Sequence, residues 1–147
     1  MYQEVIRLIE RAGVAFPPLG NGVSQDAIEN AETVLGFALP KSYKWWLLNY
    51  GGGQIQADIV YGLDEDGMGR PDLIELAHMN EQDGLYGRER IVFCMGNAEN
   101  FVFDTENLDK NGEYAILLHE ISGGEEIPYA ASFVEFLQRR ITEVCRA

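Results

Sequence analysis

Residues 28–53, IENAETVLGFALPKSYKWWLLNYGGG, decide the fold, because they hold two helices and the stops that separate them. Just ahead, Ser24 is placed as an N-cap, with Gln25 and Asp26 in a first turn where amide and acidic groups suit the helix dipole. Ala27 at the third position makes this a single cap rather than a reciprocal capping box. Ile28, Ala31 and Leu35 line one helical face, and Gly36 follows as a residue able to close the helix in a left-handed conformation. After a connection of about four residues, Pro40 suits a first helical position, where a missing N–H leaves no bond unmade. Tyr43, Trp46, Leu47 and Tyr50 then form a stripe of large side chains. Burying each contributes roughly 1.5–3 kcal/mol, so this helix is expected in the core. Gly51, Gly52 and Gly53 end it. They do not read as a phosphate loop, because they follow a helix C-terminus, whose dipole repels anions.

On the N-terminal side, Val5, Leu8, Ile9 and Ala12 mark an amphipathic helix stopped by Gly13, and residues 16–22 read as a loop. On the C-terminal side, residues 54–61 alternate, with Ile55, Ala57, Ile59 and Tyr61 on one face, which predicts a half-buried strand. Residues 62–72 are loop-like, residues 73–79 fit a short helix, and residues 80–90 read as loop. Ile91–Met95 is an apolar run expected as a central strand, turned by Gly96 and Asn97 into an antiparallel partner over residues 100–104. A turn over residues 107–112 leads to a strand over residues 114–119, and residues 123–126 form an acidic loop. Ser132 and Glu135 have capping-box spacing for a last helix, with Phe133, Phe136, Leu137, Ile141 and Val144 on its buried face. Arg139, Arg140 and Arg146 fall late in that helix, where cations suit the dipole. The expected class is α+β: N-terminal helices, a central and mainly antiparallel sheet, and a C-terminal helix, in one domain over residues 1–147.

Ile28, Glu32, Leu35-Gly36, Leu39-Pro40, Tyr43, Leu47 and Tyr50-Gly51-Gly52 resemble the N-terminal signature of the Smi1/Knr4 (SUKH) superfamily. The chain departs from that signature at Gly51, where Asn is usual, and at Trp46, where Phe is common. The run from Ser132 to Leu137 resembles the superfamily's closing helix. The resemblance implies the same α+β arrangement and a non-enzymatic, protein-binding role. Bacterial members include many immunity proteins that neutralise polymorphic toxins, often nucleases or deaminases. A second role it implies is an intracellular interaction module, as in fungal cell-wall regulators.

Charge bears on the partner. The net charge is -13, and the segment from Asp58 to Glu126 holds 17 acidic residues against four basic ones, which accounts for the whole excess. Such a field repels phosphate backbones, so nucleic acid is excluded as a partner, whereas a basic protein is drawn in faster. Solubility alone also favours net charge. Within this segment Asp64, Glu65 and Asp66 cluster in one loop and Glu125 and Glu126 in another, and these five are the expected partner-binding acids. Trp45 lies about 200° around its helix from Tyr43, off the apolar stripe; it either anchors an interface or is covered by another element.

Chemistry finds little purchase. His78 and His119 are the only histidines and lie in no metal-ligand spacing, even with Glu75 and Glu120 beside them. The loop at residues 64–69 has half the acidic pattern of a calcium loop, but Leu73 stands where the closing Glu belongs. A small metal-dependent hydrolase built on Asp64 and Asp66 is the alternative from another class. Cys94 lies in an apolar run and Cys145 near the terminus, without redox spacing, and a reducing compartment disfavours their pairing. No catalytic residue, cofactor or metal site is therefore expected. The absence of a signal-peptide core or of a run of about 20 apolar residues leads to the expectation of a cytoplasmic protein without a membrane partner.

Overall fold

The computed structural model describes residues 2–14, 22–67, 69–84 and 86–145. Three helices come first: α1 (Gln3–Ala12), α2 (Gln25–Leu35) and α3 (Lys41–Asn49). A hairpin of β1 (Gly53–Ile55) and β2 (Asp58–Val60) follows, then α4 (Leu73–Asp83). Four longer strands complete the sheet, β3 (Arg90–Met95), β4 (Glu99–Leu108), β5 (Tyr114–Glu120) and β6 (Glu126–Ala130), and α5 (Phe133–Val144) closes the fold. Strand order follows chain order, and every neighbouring pair is antiparallel. The α+β arrangement read from the sequence is what the chain adopts.

Local signals account for the helical part. The Ser24 side chain accepts a hydrogen bond from the Ala27 N–H, and Gly36 closes α2 at φ 81°. Pro40 stands one position earlier than its spacing suggests, as the extended N-cap of α3. Tyr43, Trp46 and Leu47 are fully buried, while Tyr50 is half-buried at the helix end. The capping box of α5 is half made: the Ser132 Oγ accepts from the Glu135 N–H, but the Glu135 carboxylate accepts from Ala131 rather than from Ser132. Arg139 and Arg140 serve neighbouring groups rather than the helix dipole. Arg139 bonds Glu143 and the Tyr129 carbonyl, and Arg140 bonds Asp58 and Glu99. Arg146 and residues 16–21 of the expected loop lie outside the described residues.

Three expectations are corrected. Residues 54–61 are not one strand: Gln56 takes a positive φ of 52°, and a two-residue turn folds Ile55 back opposite Asp58. Ile55 and Val60 therefore face the core while Ala57 is exposed, so the alternation pointed at the wrong partners. The short helix of residues 73–79 runs on to Asp83: Asp72 caps its start through the N–H groups of Ile74 and Glu75, and the left-handed Gly84, whose N–H bonds the Asn80 carbonyl, closes its end. Residues 126–130, of which the sequence assigns only Glu126, to the end of the acidic loop, form the edge strand β6, whose Pro128 sits where no further strand needs an N–H donor.

The main core lies between α1, α3 and α5 and the sheet face carrying Phe93, Phe101, Phe103 and Ile116. Aromatic rings dominate it. Phe93 stacks on Phe103 at 4.1 Å, and Tyr43 meets Phe103 and Phe133 edge-on at 5.3 and 5.0 Å. The Tyr43 hydroxyl, wholly inside, donates to the Tyr61 carbonyl at 2.8 Å, which satisfies the one polar atom its ring brings into the core. On the opposite sheet face, Leu76 of α4 packs with Val92 and Val102 in a smaller cluster bordered by Tyr61, Tyr86, Met95 and Leu117.

Candidate protein-interaction surface

The acidic loop after β2 is built onto the start of α2. Glu65 accepts from the Ser24 N–H at 2.9 Å and from the Ser24 hydroxyl at 2.5 Å. Ser24 in turn caps α2, so one serine links loop and helix. Asp64 accepts from the Gly69 N–H at 2.9 Å, and its own N–H donates to Asp72 at 2.8 Å. Asp66 is exposed at the tip. The result is a surface hollow of about 320 Å³ lined by four carboxylates, Asp26, Asp64, Glu65 and Asp72, over an apolar floor of Ala27, Leu63 and Ile74. Two of those carboxylates were not singled out in the sequence. Asp72 was legible, since an aspartate three residues ahead of Glu75 at the start of LIEL has the pattern of a helix cap. Asp26 was placed in the first turn of α2, but nothing local brings it to a loop almost 40 residues away.

Ser24 holds the Glu65 carboxyl below its ordinary value of 4.5 by hydrogen bonds from its side chain and backbone. A carboxylate with a lowered folded value contributes stability that is present above its unfolded pKa and is lost as pH falls through the folded one. Glu65→Gln is expected to remove that contribution and flatten the acid limb of the stability curve below about pH 4.5. Unfolding curves taken from pH 3 to pH 6 with about half-unit steps check this, and an unchanged limb would mean that the Ser24 bonds carry no weight.

Glu125 and Glu126 lie elsewhere. Glu125 precedes β6 and Glu126 opens it, and three strands separate this edge from β2 and its loop. Glu125 is exposed at the hairpin tip, whereas Glu126 is paired with Arg90, whose guanidinium also holds Asp104 at 2.8 Å. Trp45 is covered in part: Tyr2 stacks on it at 4.2 Å and Tyr50 meets it edge-on at 5.8 Å. The N-terminal segment thus supplies the cover that the sequence left open.

The histidines are far from forming a pair. His78 is exposed on α4, while His119 of β5 has its Nδ1 2.6 Å from the Tyr86 hydroxyl. The Asn100 side-chain amide lies 3.0 Å from the same hydroxyl, so Asn100, Tyr86 and His119 form one polar chain. Among the described residues no group of three or more His, Cys, Asp or Glu side chains is placed to hold a metal ion. Both cysteines are free thiols; Cys94 is buried, and burial pushes its pKa well up. Among the described residues no helix is long and apolar enough to cross a membrane.

A six-stranded antiparallel meander between N-terminal helices and a closing helix defines an α+β protein without an evident catalytic constellation among its described residues. The model of the SMI1 / KNR4 family (SUKH-1) matches residues 22–139, and the chain belongs to that family. Its fold is also similar to a crystal structure of a protein from Pseudomonas syringae pv. tomato, at a TM-score of 0.68 and 17% identity, covering 92% of this chain and 95% of that one.

Proposed function

We propose that this chain is a non-enzymatic binding protein that neutralises a basic bacterial toxin, acting as an immunity protein. The observation that carries the reading is the hollow lined by Asp26, Asp64, Glu65 and Asp72 in a chain of net charge -13. Four carboxylates around an apolar floor suit a lysine or arginine side chain, whose stem lies on the floor while its charge meets the rim. Three of the four, Asp64, Glu65 and Asp72, are held in place by backbone and serine donors, so little ordering remains to be done on binding. A toxin that cleaves or modifies nucleic acid carries a basic cleft, and an acidic domain seated there blocks its substrate.

The test is protection and binding together. Where a toxin-like product is encoded beside its gene, co-expression with that product is expected to restore growth, with a stable complex between the purified proteins. Asp26→Asn combined with Asp66→Asn removes one exposed charge from the rim of the hollow and one from the loop tip beside it, without touching the Ser24 bonds. The double variant is expected to associate with that toxin about tenfold more slowly at low salt, with a flatter salt dependence. Its melting temperature should stay within a degree or two of the parent, as expected of surface substitutions. An unchanged rate and salt slope would remove the hollow from the interface, and the absence of both complex and protection would remove the immunity role.

A further inference from the structure

A second cleft, of about 350 Å³, opens between the end of α2, α4 and the start of β3. Its chemistry is the reverse of the acidic hollow. Val34, Leu35, Ile91 and Val92 give it an apolar wall, and His78, Arg88 and Arg90 bring cationic or protonatable groups to it, against a single acid, Glu81. Arg90 is already committed to Asp104 and Glu126. Arg88 and His78 are not: both are exposed, and neither makes a hydrogen bond or ion pair among the described residues. Val34 remains 49% exposed at the mouth, so part of the apolar wall is open to solvent.

We propose that this cleft binds a small amphipathic anion, with its carboxylate on Arg88 and His78 and its apolar body along Val34, Leu35 and Ile91. The volume lies within the range of small-molecule sites, and the lining has the mixture those sites use: apolar walls with a few convergent polar groups. An arginine fork and an imidazole N–H both donate to a carboxylate, and the charge-assisted bonds are stronger than neutral ones. The opposite charge preference of the acidic hollow keeps the two sites apart in ligand class, so this proposal stands independently of the toxin-binding reading.

Octanoate is a suitable probe, followed by amide chemical shifts of the intact protein and by calorimetry. One saturable site is expected, with a dissociation constant on the order of 1 mM for a ligand of about ten heavy atoms. The shifts should be confined to the residues lining the cleft. Arg88→Ala is expected to weaken octanoate about tenfold, the worth of a charge-assisted hydrogen bond. Val34→Glu, at a half-exposed position that folding tolerates, is expected to abolish binding by placing a carboxylate on the apolar wall. Octanamide, with the same body and no charge, should bind about tenfold more weakly than octanoate. No saturable binding at roughly ten times the expected constant would overturn the proposal. So would equal binding of octanoate and octanamide, or shifts centred elsewhere, such as around Tyr2 and Trp45.

Discussion

Replacing Glu113 by alanine is expected to lower stability by about 3 kcal/mol, the fall in urea midpoint coming without a change in slope. Glu113 is only 8% exposed, and its carboxylate stands at two helix N-termini at once. It accepts from the Ser42 N–H at 2.7 Å, from the Ser42 hydroxyl at 2.8 Å, and from the Phe133 N–H at 3.4 Å. The Ser42 hydroxyl then accepts from the Val134 N–H at 3.1 Å, so a single carboxylate and a single hydroxyl serve the first turns of both α3 and α5. Without the carboxylate, two backbone donors lose their partners in a buried joint, and each such loss costs about 1–3 kcal/mol. The positive ends of both helix dipoles lose their counter-charge as well. Glu113→Gln keeps the shape and one acceptor oxygen and should fall between alanine and the parent. Glu125→Ala, at an exposed hairpin tip, should stay within about 0.5 kcal/mol. A loss below about 1 kcal/mol for Glu113→Ala would show that water serves these donors equally well.

Arg140→Met is expected to cost about 3–5 kcal/mol, because it strands a charge rather than removing one. Asp58 is 5% exposed, and the Arg140 Nε meets it at 2.6 Å while another nitrogen of the same fork meets Glu99 at 2.8 Å. The guanidinium also lies over the Phe101 ring at 4.9 Å. Arginine thus ties α5 to the β1–β2 hairpin and to the start of β4 through one planar group. Lysine keeps the charge but cannot reach both carboxylates in that geometry, so Arg140→Lys should recover less than half of the loss. Adding Asp58→Asn to Arg140→Met should restore part of the stability, since the stranded charge is gone. If the double variant were no better than Arg140→Met alone, the cost would come from lost packing over Phe101 instead.

These two residues also mark where the sequence stops being legible. The helices from residue 24 to residue 50 could be read because their instructions are local: a capping serine, a closing glycine, a stripe at helical spacing. The glutamate at 113 and the arginine at 140 act across 71 and 82 positions of chain, and nothing around either names its partner. The β1–β2 turn was missed for a different reason. Its positive-φ residue is Gln56, where a glycine or asparagine would have announced it. Of the acidic candidates, Asp64, Glu65 and Asp66 share one loop because they are adjacent in sequence. That Glu65 is spent on Ser24 and Glu126 on Arg90 follows only from folding. The cleft with Arg88 and His78 had no linear signal at all, because its walls come from three separate segments.

A sheet whose strands pair strictly in chain order can grow strand by strand during synthesis, each strand finding its neighbour as soon as it emerges. Its aromatic face has no such luck. Phe93, Phe101 and Phe103 rest on Phe133 and Phe136, which belong to a helix that follows all six strands in the chain. Until those rings arrive, a nascent chain with most of its hydrogen bonds formed still shows bare aromatic surface. The ribosome and its attendant chaperones therefore face an aggregation hazard that persists until the segment around residue 133 clears the exit tunnel.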